Sequence, residues 1–208
     1  MKKGLFITFE GGDGSGKSTQ ISILRDRLSE AGCDVLLTRE PGGTKISEKI
    51  RSVILDKENS EMEAVTEALL YAAARAQLVA EVIEPAIRKG IVVICDRFVD
   101  SSIAYQAYGR DLGEAVEVIN SYAIGECMPD ITILLKLDPH VGRRRINARD
   151  GDRDRIELAS EHFHDKVYEG YLELEKKHPQ RIIGIEADRT IEETAELIWE
   201  KISPMLGE

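Results

Sequence analysis

The feature that most limits the possible folds of this chain is a glycine-rich loop set between an apolar run and a helical pattern. Residues 11–18 read G-G-D-G-S-G-K-S, which matches the pattern G-x-x-x-x-G-K-[ST]. The mainly apolar residues 5–9 precede the loop, and Ile21, Leu24 and Leu28 follow it at helical spacing. This context predicts a strand, a phosphate-binding loop and a helix in succession. A glycine-rich turn with a surface lysine is the alternative.

Each residue type in the loop has a physical role in holding phosphates. The glycines permit backbone conformations that let successive N–H groups turn inward. Lys17 is expected to reach the β and γ phosphates, and the Ser18 hydroxyl is expected to bind Mg²⁺. The predicted nucleotide-binding residues are Gly11, Gly12, Asp13, Gly14, Ser15, Gly16, Lys17, Ser18 and Thr19.

Length and charge limit the classes of protein. A chain of 208 residues can bury one core but is short for two domains, so we predict a single domain over residues 1–208. The net charge of −10 disfavours a partner that is a nucleic-acid polymer. An acidic protein that binds phosphates must gather its positive charge locally, which makes the positions of the arginines informative.

The same sequence indicates a cytoplasmic protein without a membrane partner. A cleavable signal would remove the phosphate loop, and no apolar run approaches the length that spans a membrane. Three widely spaced cysteines, Cys33, Cys95 and Cys127, form no C-x-x-C pair and fit a reducing compartment.

Short apolar runs alternate with longer helical patterns along the chain. The predicted strands are Leu5–Glu10, Asp34–Thr38, Ile91–Asp96, Ile131–Leu137 and Ile182–Glu186. The predicted helices are Ser18–Ala31, Ser47–Leu55, Glu61–Lys89, Glu114–Gly125, Pro139–Arg149, Ala159–Lys177 and Ile191–Met205, with Pro85 expected to bend or shorten the third. This order predicts an α/β fold of three layers around a five-stranded parallel sheet.

Polar residues follow the second and third predicted strands, where ligands of open α/β sheets bind. Residues 39–44 read R-E-P-G-G-T, and the third strand ends in Asp96-Arg97. An aspartate at this point is the expected outer partner of Mg²⁺, and Arg97 offers a planar donor fork to a phosphate. A simple ion pair between the two residues is the alternative.

Two further groups of residues are candidates for ligand binding. Tyr71 and Arg75 lie four residues apart on one helix face, where they could contact a base. Taken alone, that pair is better explained as a core tyrosine and a solvated arginine. Residues 143–155 are dense in arginine and aspartate, so they are either a solvated loop or an element that brings arginines to a transferring phosphate.

Taken together, these motifs resemble the thymidylate kinase family. The most specific match is residues 95–106, C-D-R-F-V-D-S-S-I-A-Y-Q, and residues 38–44 and 68–77 are similarly typical of the family. Residues 154–157, with Phe163, Val167 and Tyr171 beyond them, resemble the end of the family's lid. The resemblance runs from Leu5 to about Tyr171.

The resemblance implies the P-loop nucleoside monophosphate kinase fold and ATP-dependent phosphorylation of dTMP to dTDP with Mg²⁺, in dTTP synthesis. It also implies a homodimer. Tyr71 would stack on thymine, Arg75 and Gln106 would bond its edge, and Arg97 would hold the acceptor phosphate. The implied substrate-binding residues are Asp13, Arg39, Glu40, Arg51, Tyr71, Arg75, Arg97, Ser102, Tyr105 and Gln106, and the implied metal-binding residues are Ser18 and Asp96.

The family also indicates where the catalytic arginine lies. Some members carry it in the phosphate loop, whereas this chain has Gly14-Ser15 there, so a lid over residues 143–157 is expected to supply it. The predicted catalytic residues are Lys17, Arg97 and one lid arginine, with Arg149 favoured over Arg153 or Arg155.

Three alternative functions are weighed against this one. A related kinase would act on dUMP or a deoxynucleoside. A GTPase-type switch usually carries Asn-Lys-x-Asp, and no asparagine precedes a lysine here. A P-loop motor or helicase is disfavoured by the acidic charge.

Overall fold

The centre of the molecule is a parallel β-sheet, seen in a computed structural model that describes residues 4–148 and 153–206. Its five strands lie in the order β2-β3-β1-β4-β5. The strands are β1 (Phe6–Glu10), β2 (Val35–Arg39), β3 (Val92–Asp96), β4 (Ile131–Lys136) and β5 (Ile182–Glu186). The predicted five-stranded parallel sheet is therefore confirmed, and each bound lies within one residue of its predicted position.

Helices cover both faces of the sheet. They are α1 (Lys17–Glu30), α2 (Lys45–Leu55), α3 (Ala64–Leu78), α4 (Glu84–Arg88), α5 (Val99–Ser102), α6 (Ala115–Ile124), α7 (Pro139–Asn147), α8 (Glu161–Lys177) and α9 (Ile191–Ile202). Side chains of β1 alternate between the layers: Ile7 and Phe9 pack with α1 and α9, whereas Phe6 packs with Leu78 and Phe98 on the other face. This three-layer arrangement is the predicted fold class.

The predicted helix Glu61–Lys89 is interrupted. α3 ends at Leu78, a π-helical segment follows at Val79–Ile83, and α4 runs on to Arg88. At the end of the π segment the Glu84 N–H donates to the carbonyl of Val79, five residues back. Pro85 lacks an N–H group and crowds the preceding turn, so a wider turn there accommodates it. The predicted distortion near Pro85 is correct, but it lies just before the proline.

A helical segment directly after β3 was missing from the predicted helices. α5 continues into a second π-helical segment, Ile103–Gly109, and these residues include positions 99–106 of the most specific family motif. Their β-branched and aromatic side chains have weak helix propensity. Packing against α8 compensates: Tyr105 contacts Phe163 and Tyr171 edge-on, and Gly170 leaves room for Tyr108.

Within residues 4–148 and 153–206, every helix is too short or too polar to cross a bilayer.

Candidate active site

The phosphate loop lies between β1 and α1 and is packed closely against α7. Gly14 adopts φ +77°, and a Cβ atom there would lie 2.6 Å from the carbonyl oxygen of Gly142. In turn, a Cβ atom at Gly142 would lie 2.4 Å from the Asp13 carbonyl oxygen. This contact leaves no room for a side chain at position 14, which explains physically why the loop carries no arginine at that point.

Lys17 lies inside the curve of the loop. Its Nζ donates to the carbonyl oxygens of Gly11 at 3.0 Å and Gly12 at 2.9 Å. Burial and the nearby Arg97 lower the pKa of Lys17 to about 8, against the opposing effect of the neighbouring carboxylates. A cationic amine held this way, in a buried position at a helix N-terminus, is suited to bind a polyphosphate.

Arg97, directly after β3, contacts the phosphate loop with its side chain. The Arg97 backbone has φ 67°, a region that few residues other than glycine adopt. One guanidinium nitrogen donates to the Gly11 carbonyl oxygen at 3.0 Å, and the other pairs with Asp13 Oδ1 at 2.5 Å. Burial raises the pKa of Asp13, but Arg97 and Lys17 outweigh it, so the pKa is lowered overall. Asp13 is therefore an ionised partner of Arg97.

Asp96 and Ser18 fit a hard divalent cation. Asp96 Oδ1 is buried and accepts no hydrogen bond from the described residues, and both side chains line the same cleft. In the described parts of the chain, no three His, Cys, Asp or Glu side chains are close enough together to hold a metal. One carboxylate and one hydroxyl suit Mg²⁺, which keeps several waters and takes its other ligands from phosphates.

An open cleft of about 1660 Å³ brings most of the predicted site residues together. Phosphate-loop residues form one end, and α3 and the segment after β3 form the other. The predicted residues that line it are Asp13, Gly14, Gly16, Lys17, Ser18, Thr19, Arg39, Glu40, Arg51, Tyr71, Arg75, Asp96, Arg97, Ser102, Tyr105 and Gln106. Of the remaining loop residues, Gly11 accepts from Lys17 and Arg97, Gly12 accepts from Lys17, and Ser15 is buried.

Arg75 is held by protein groups on all sides. The side chain is 1% exposed and pairs with Glu40 at 2.5 Å. It also donates to Ser102 Oγ, the Asn120 side-chain oxygen and the Phe98 carbonyl oxygen. Burial raises the pKa of Glu40 to about 7, although Arg75 opposes this effect. The alternative of a solvated arginine is therefore wrong, and a contact between Arg75 and a base stays a prediction.

Glu67, which was not predicted from the sequence, holds Gln106 in place. Its carboxylate accepts from Gln106 Nε2 at 3.0 Å and from Arg110 at 3.0 Å. A carboxylate only accepts hydrogen bonds, so the amide nitrogen of Gln106 must face it. Glu67 precedes Tyr71 by four residues, and that helical spacing is the signal that could have identified it.

The lid arginines have different surroundings. Arg155 is tied to α2 and α3, because its guanidinium pairs with Glu67 at 2.7 Å and donates to the Ile54 carbonyl oxygen at 2.8 Å. Arg153 lines a neighbouring pocket with Gly12 and Asp13, and Arg149 lies outside the described residues. Arg145, not among the predicted site residues, donates to the Gly14 carbonyl oxygen at 3.1 Å and lines the main cleft.

This fold and site define a P-loop kinase of the nucleoside monophosphate class. A family model described as thymidylate kinase matches residues 9–198. The chain belongs to the thymidylate kinase family, so the switch and motor alternatives are set aside.

Individual relatives agree with this membership. The chain is 51% identical over 207 residues to the thymidylate kinase of Oceanobacillus iheyensis, a match that covers 99% of this chain and 92% of the relative. It is 50% identical over 188 residues to the thymidylate kinase of Bacillus velezensis, with 89% of each covered. The crystal structure of thymidylate kinase from Ehrlichia chaffeensis superposes with a TM-score of 0.78 at 32% identity, covering 97% of this chain and 99% of that one.

Proposed function

We propose that this chain passes the γ-phosphoryl group of ATP directly and in line to the phosphate of dTMP, giving dTDP. The thymidylate kinase family carries out this overall conversion of dTMP with ATP. The observation that supports direct transfer is the pairing of Arg97 with Asp13, which joins the donor loop to the residue proposed to hold the acceptor phosphate. ATP and dTMP bound in this one cleft would have their phosphate groups next to each other at the Arg97–Asp13 pair.

The protein's part in this transfer is positioning and charge stabilisation. The acceptor phosphate is already ionised, so the reaction needs no strong general base. Lys17 would hold the donor's β and γ phosphates, and Arg97, with Arg39 and Arg51 at the cleft edge, would hold the acceptor phosphate. Residues 143–157 would act as a lid on the single kinase domain and exclude water from the transferring group.

We propose Mg²⁺ as the cofactor that accompanies ATP. Ser18 and Asp96 would hold it, and the unpaired, buried Oδ1 of Asp96 supports this role. When bound, the ion offsets charge between the β and γ phosphates.

The far end of the cleft would select the nucleoside. Tyr71 would stack on the base, Gln106 would bond the base edge, and Tyr105 would lie against the deoxyribose. Glu40 and Ser102 both bond Arg75 and thereby fix the wall behind the base.

A panel of acceptors tests this function. We expect the highest initial rate with dTMP, lower rates with dUMP and UMP, and no phosphorylation of thymidine, which lacks the acceptor phosphate. Turnover should stop when Mg²⁺ is chelated and return when it is restored. Faster turnover of UMP than of dTMP would overturn the substrate assignment.

We also propose that the protein works in the cytoplasm. A reduced Cys95 thiol on β3 donates to the Arg97 carbonyl oxygen at 3.0 Å, which fits a reducing compartment. Recovery of the protein in the membrane or secreted fraction of cells would contradict this location.

We propose that the chain forms a homodimer through one face of α2, α3 and α6. Neighbouring turns of these helices leave apolar side chains exposed, among them Tyr122, which is 87% exposed. The others on this face are Ile46, Val53, Val65, Leu69 and Val118. An apolar surface of this kind is typical of a contact between subunits.

Replacing Leu69 by arginine should convert the dimer to a monomer, because a charge would be buried at the contact. Sedimentation velocity measures the change, and circular dichroism checks that the chain still folds. Met205→Arg, at an exposed apolar position on the α1 and α9 side, is the matched control and should stay dimeric. A monomeric unmodified protein, or a dimeric Leu69→Arg, would contradict this interface.

A further inference from the structure

A buried carboxylate lies directly before the phosphate loop and has no part in the proposed transfer. Glu10 ends β1 and is fully buried. Side chains that carry charge are seldom buried unless they are paired or hydrogen-bonded. The partners of Glu10 therefore show what this residue does.

The Glu10 carboxylate joins three separate parts of the chain. Oε1 accepts from the backbone N–H of Phe98 at 2.7 Å and of Ser101 at 3.3 Å. Oε2 accepts from Ser101 Oγ at 2.5 Å and from the hydroxyl of Tyr171, on α8, at 2.9 Å. The strand that leads into the phosphate loop is thereby bonded to the segment that follows β3 and to α8.

Glu10 acts as the cap of the short helix α5. Phe98, the residue before α5, provides no capping side chain. Glu10 accepts the N–H of Ser101, the third helical residue, which such a side chain would serve, and it also accepts the N–H of Phe98 itself. α5 leads into the π-helical segment that contains Tyr105 and Gln106. Through this cap, the position of the acceptor site depends on the residue before the donor loop.

The hydroxyls of Ser101 and Tyr171, which bond Glu10, also contact Arg97. One guanidinium nitrogen of Arg97 donates to Ser101 Oγ at 3.3 Å and to the Tyr171 hydroxyl at 3.2 Å. A hydroxyl can donate one hydrogen bond and accept two, so each can donate to Glu10 while accepting from Arg97. The two hydroxyls also lie 2.8 Å apart, and each has one proton to donate. When both donate to an ionised Glu10 and neither donates to the other, their oxygen lone pairs face the guanidinium.

We propose that Glu10 is a positioning residue that sets the guanidinium of Arg97 for the acceptor phosphate, acting through Ser101 and Tyr171. This inference rests on the proposed function, in which Arg97 holds the phosphate of dTMP. It goes further by making the residue before the phosphate loop a determinant of acceptor binding.

The charge state of Glu10 predicts a pH dependence of dTMP binding that a purely structural residue would not show. Burial is the main cause that raises the pKa of Glu10 to about 7, and the charge of the nearby Asp100 is the second. Hydrogen bonds and the charge of Arg97 oppose this rise. Glu10 is therefore mainly protonated below pH 7 and ionised above it. The titratable and charged groups that face it are Arg97, Asp100, Lys17, Cys95, Tyr105, Tyr171 and Arg181.

The experiment compares Glu10→Gln with the unmodified enzyme between pH 6 and 8. At pH 8 the variant should raise KM for dTMP roughly tenfold, about the effect of a hydrogen bond to a charged group, while KM for ATP changes little. The KM for dTMP of the variant, divided by that of the unmodified enzyme, should fall toward one at pH 6, where residue 10 is mainly neutral in both proteins. Ionisation of dTMP itself cancels in this ratio.

Further variants separate positioning from stability. Tyr171→Phe and Ser101→Ala each remove one relay hydroxyl, so each should raise KM for dTMP and keep the protein folded even if Glu10→Gln does not fold. Asp100→Asn is the matched control at pH 8, where Glu10 is ionised with or without Asp100: this buried carboxylate bonds Arg181 and Thr132, so its loss should lower Tm and leave KM for dTMP unchanged at that pH.

A double-mutant comparison distinguishes this inference from the proposed function. Arg97→Ala alone should weaken dTMP binding, and adding Glu10→Gln should then have little further effect. If Arg97→Ala leaves dTMP binding intact, the proposed role of Arg97 fails and the inference fails with it. If Arg97→Ala weakens binding but the two effects add fully, or if both hydroxyl variants bind dTMP normally, only the inference is overturned.

Discussion

Replacing Lys17 with alanine is expected to lower kcat by a factor of about 10³ or more, while the affinity for dTMP stays close to normal. Lys17 Nζ lies within 3.0 Å of two loop carbonyl oxygens, where the donor phosphates would bind. A cation at this point offsets charge on the transferring group in a site that excludes water, so its effect is far larger than on an open surface. The acceptor cleft is lined by other side chains and should still bind dTMP.

The measurements are steady-state kinetics, calorimetric titration with dTMP and thermal unfolding. Lys17 is buried and its pKa is lowered to about 8, which shows that its charge is costly to bury, so the variant should not lose Tm. Lys166→Ala, which removes a surface pair with Asp111, is the matched control and should keep kcat. Near-normal kcat in Lys17→Ala would contradict the assignment of Lys17.

Local patterns in the sequence were sufficient to predict the sheet and the phosphate loop. The strands are continuous apolar runs because both faces of the sheet are covered, and the carboxyl ends of parallel strands meet at one edge. Asp96 and Arg97 could therefore be placed near Lys17 without coordinates. The structure confirms that placement, with all three residues lining one cleft.

Interactions between distant parts of the chain could not be predicted in this way. Glu10 bonds Ser101 and Tyr171, which lie 91 and 161 residues further along the chain. The sequence predicts that Arg75 is either solvated or faces a base. Its helical spacing gives no indication of the buried pair that it forms with Glu40. The helical segment after β3 was missed for the same reason: packing against α8 outweighs the weak propensity of its residues.

Alanine substitutions along the lid should distinguish an arginine that reaches the transferring phosphate from one that supports the base-binding end of the cleft. We expect Arg149→Ala to lower kcat by a factor on the order of 10³, as for an arginine that reaches the transferring phosphate. Arg155→Ala should chiefly raise KM for dTMP, because Arg155 pairs with Glu67, the carboxylate that orients Gln106. Loss of Arg155 would leave Glu67 with one cation fewer and loosen the wall that faces the base.

The contrast between kcat and KM tests this division, because a general loosening of the lid would change both constants in both variants. Arg144→Ala is the control and should change neither constant, because Arg144 is an exposed lid residue that lines neither the main cleft nor the neighbouring pocket. If Arg149→Ala keeps near-normal kcat, Arg153 and Arg145 are the next arginines to replace. Arg145 has priority on geometric grounds: it already donates to Gly14 at the position where this loop has no room for an arginine of its own.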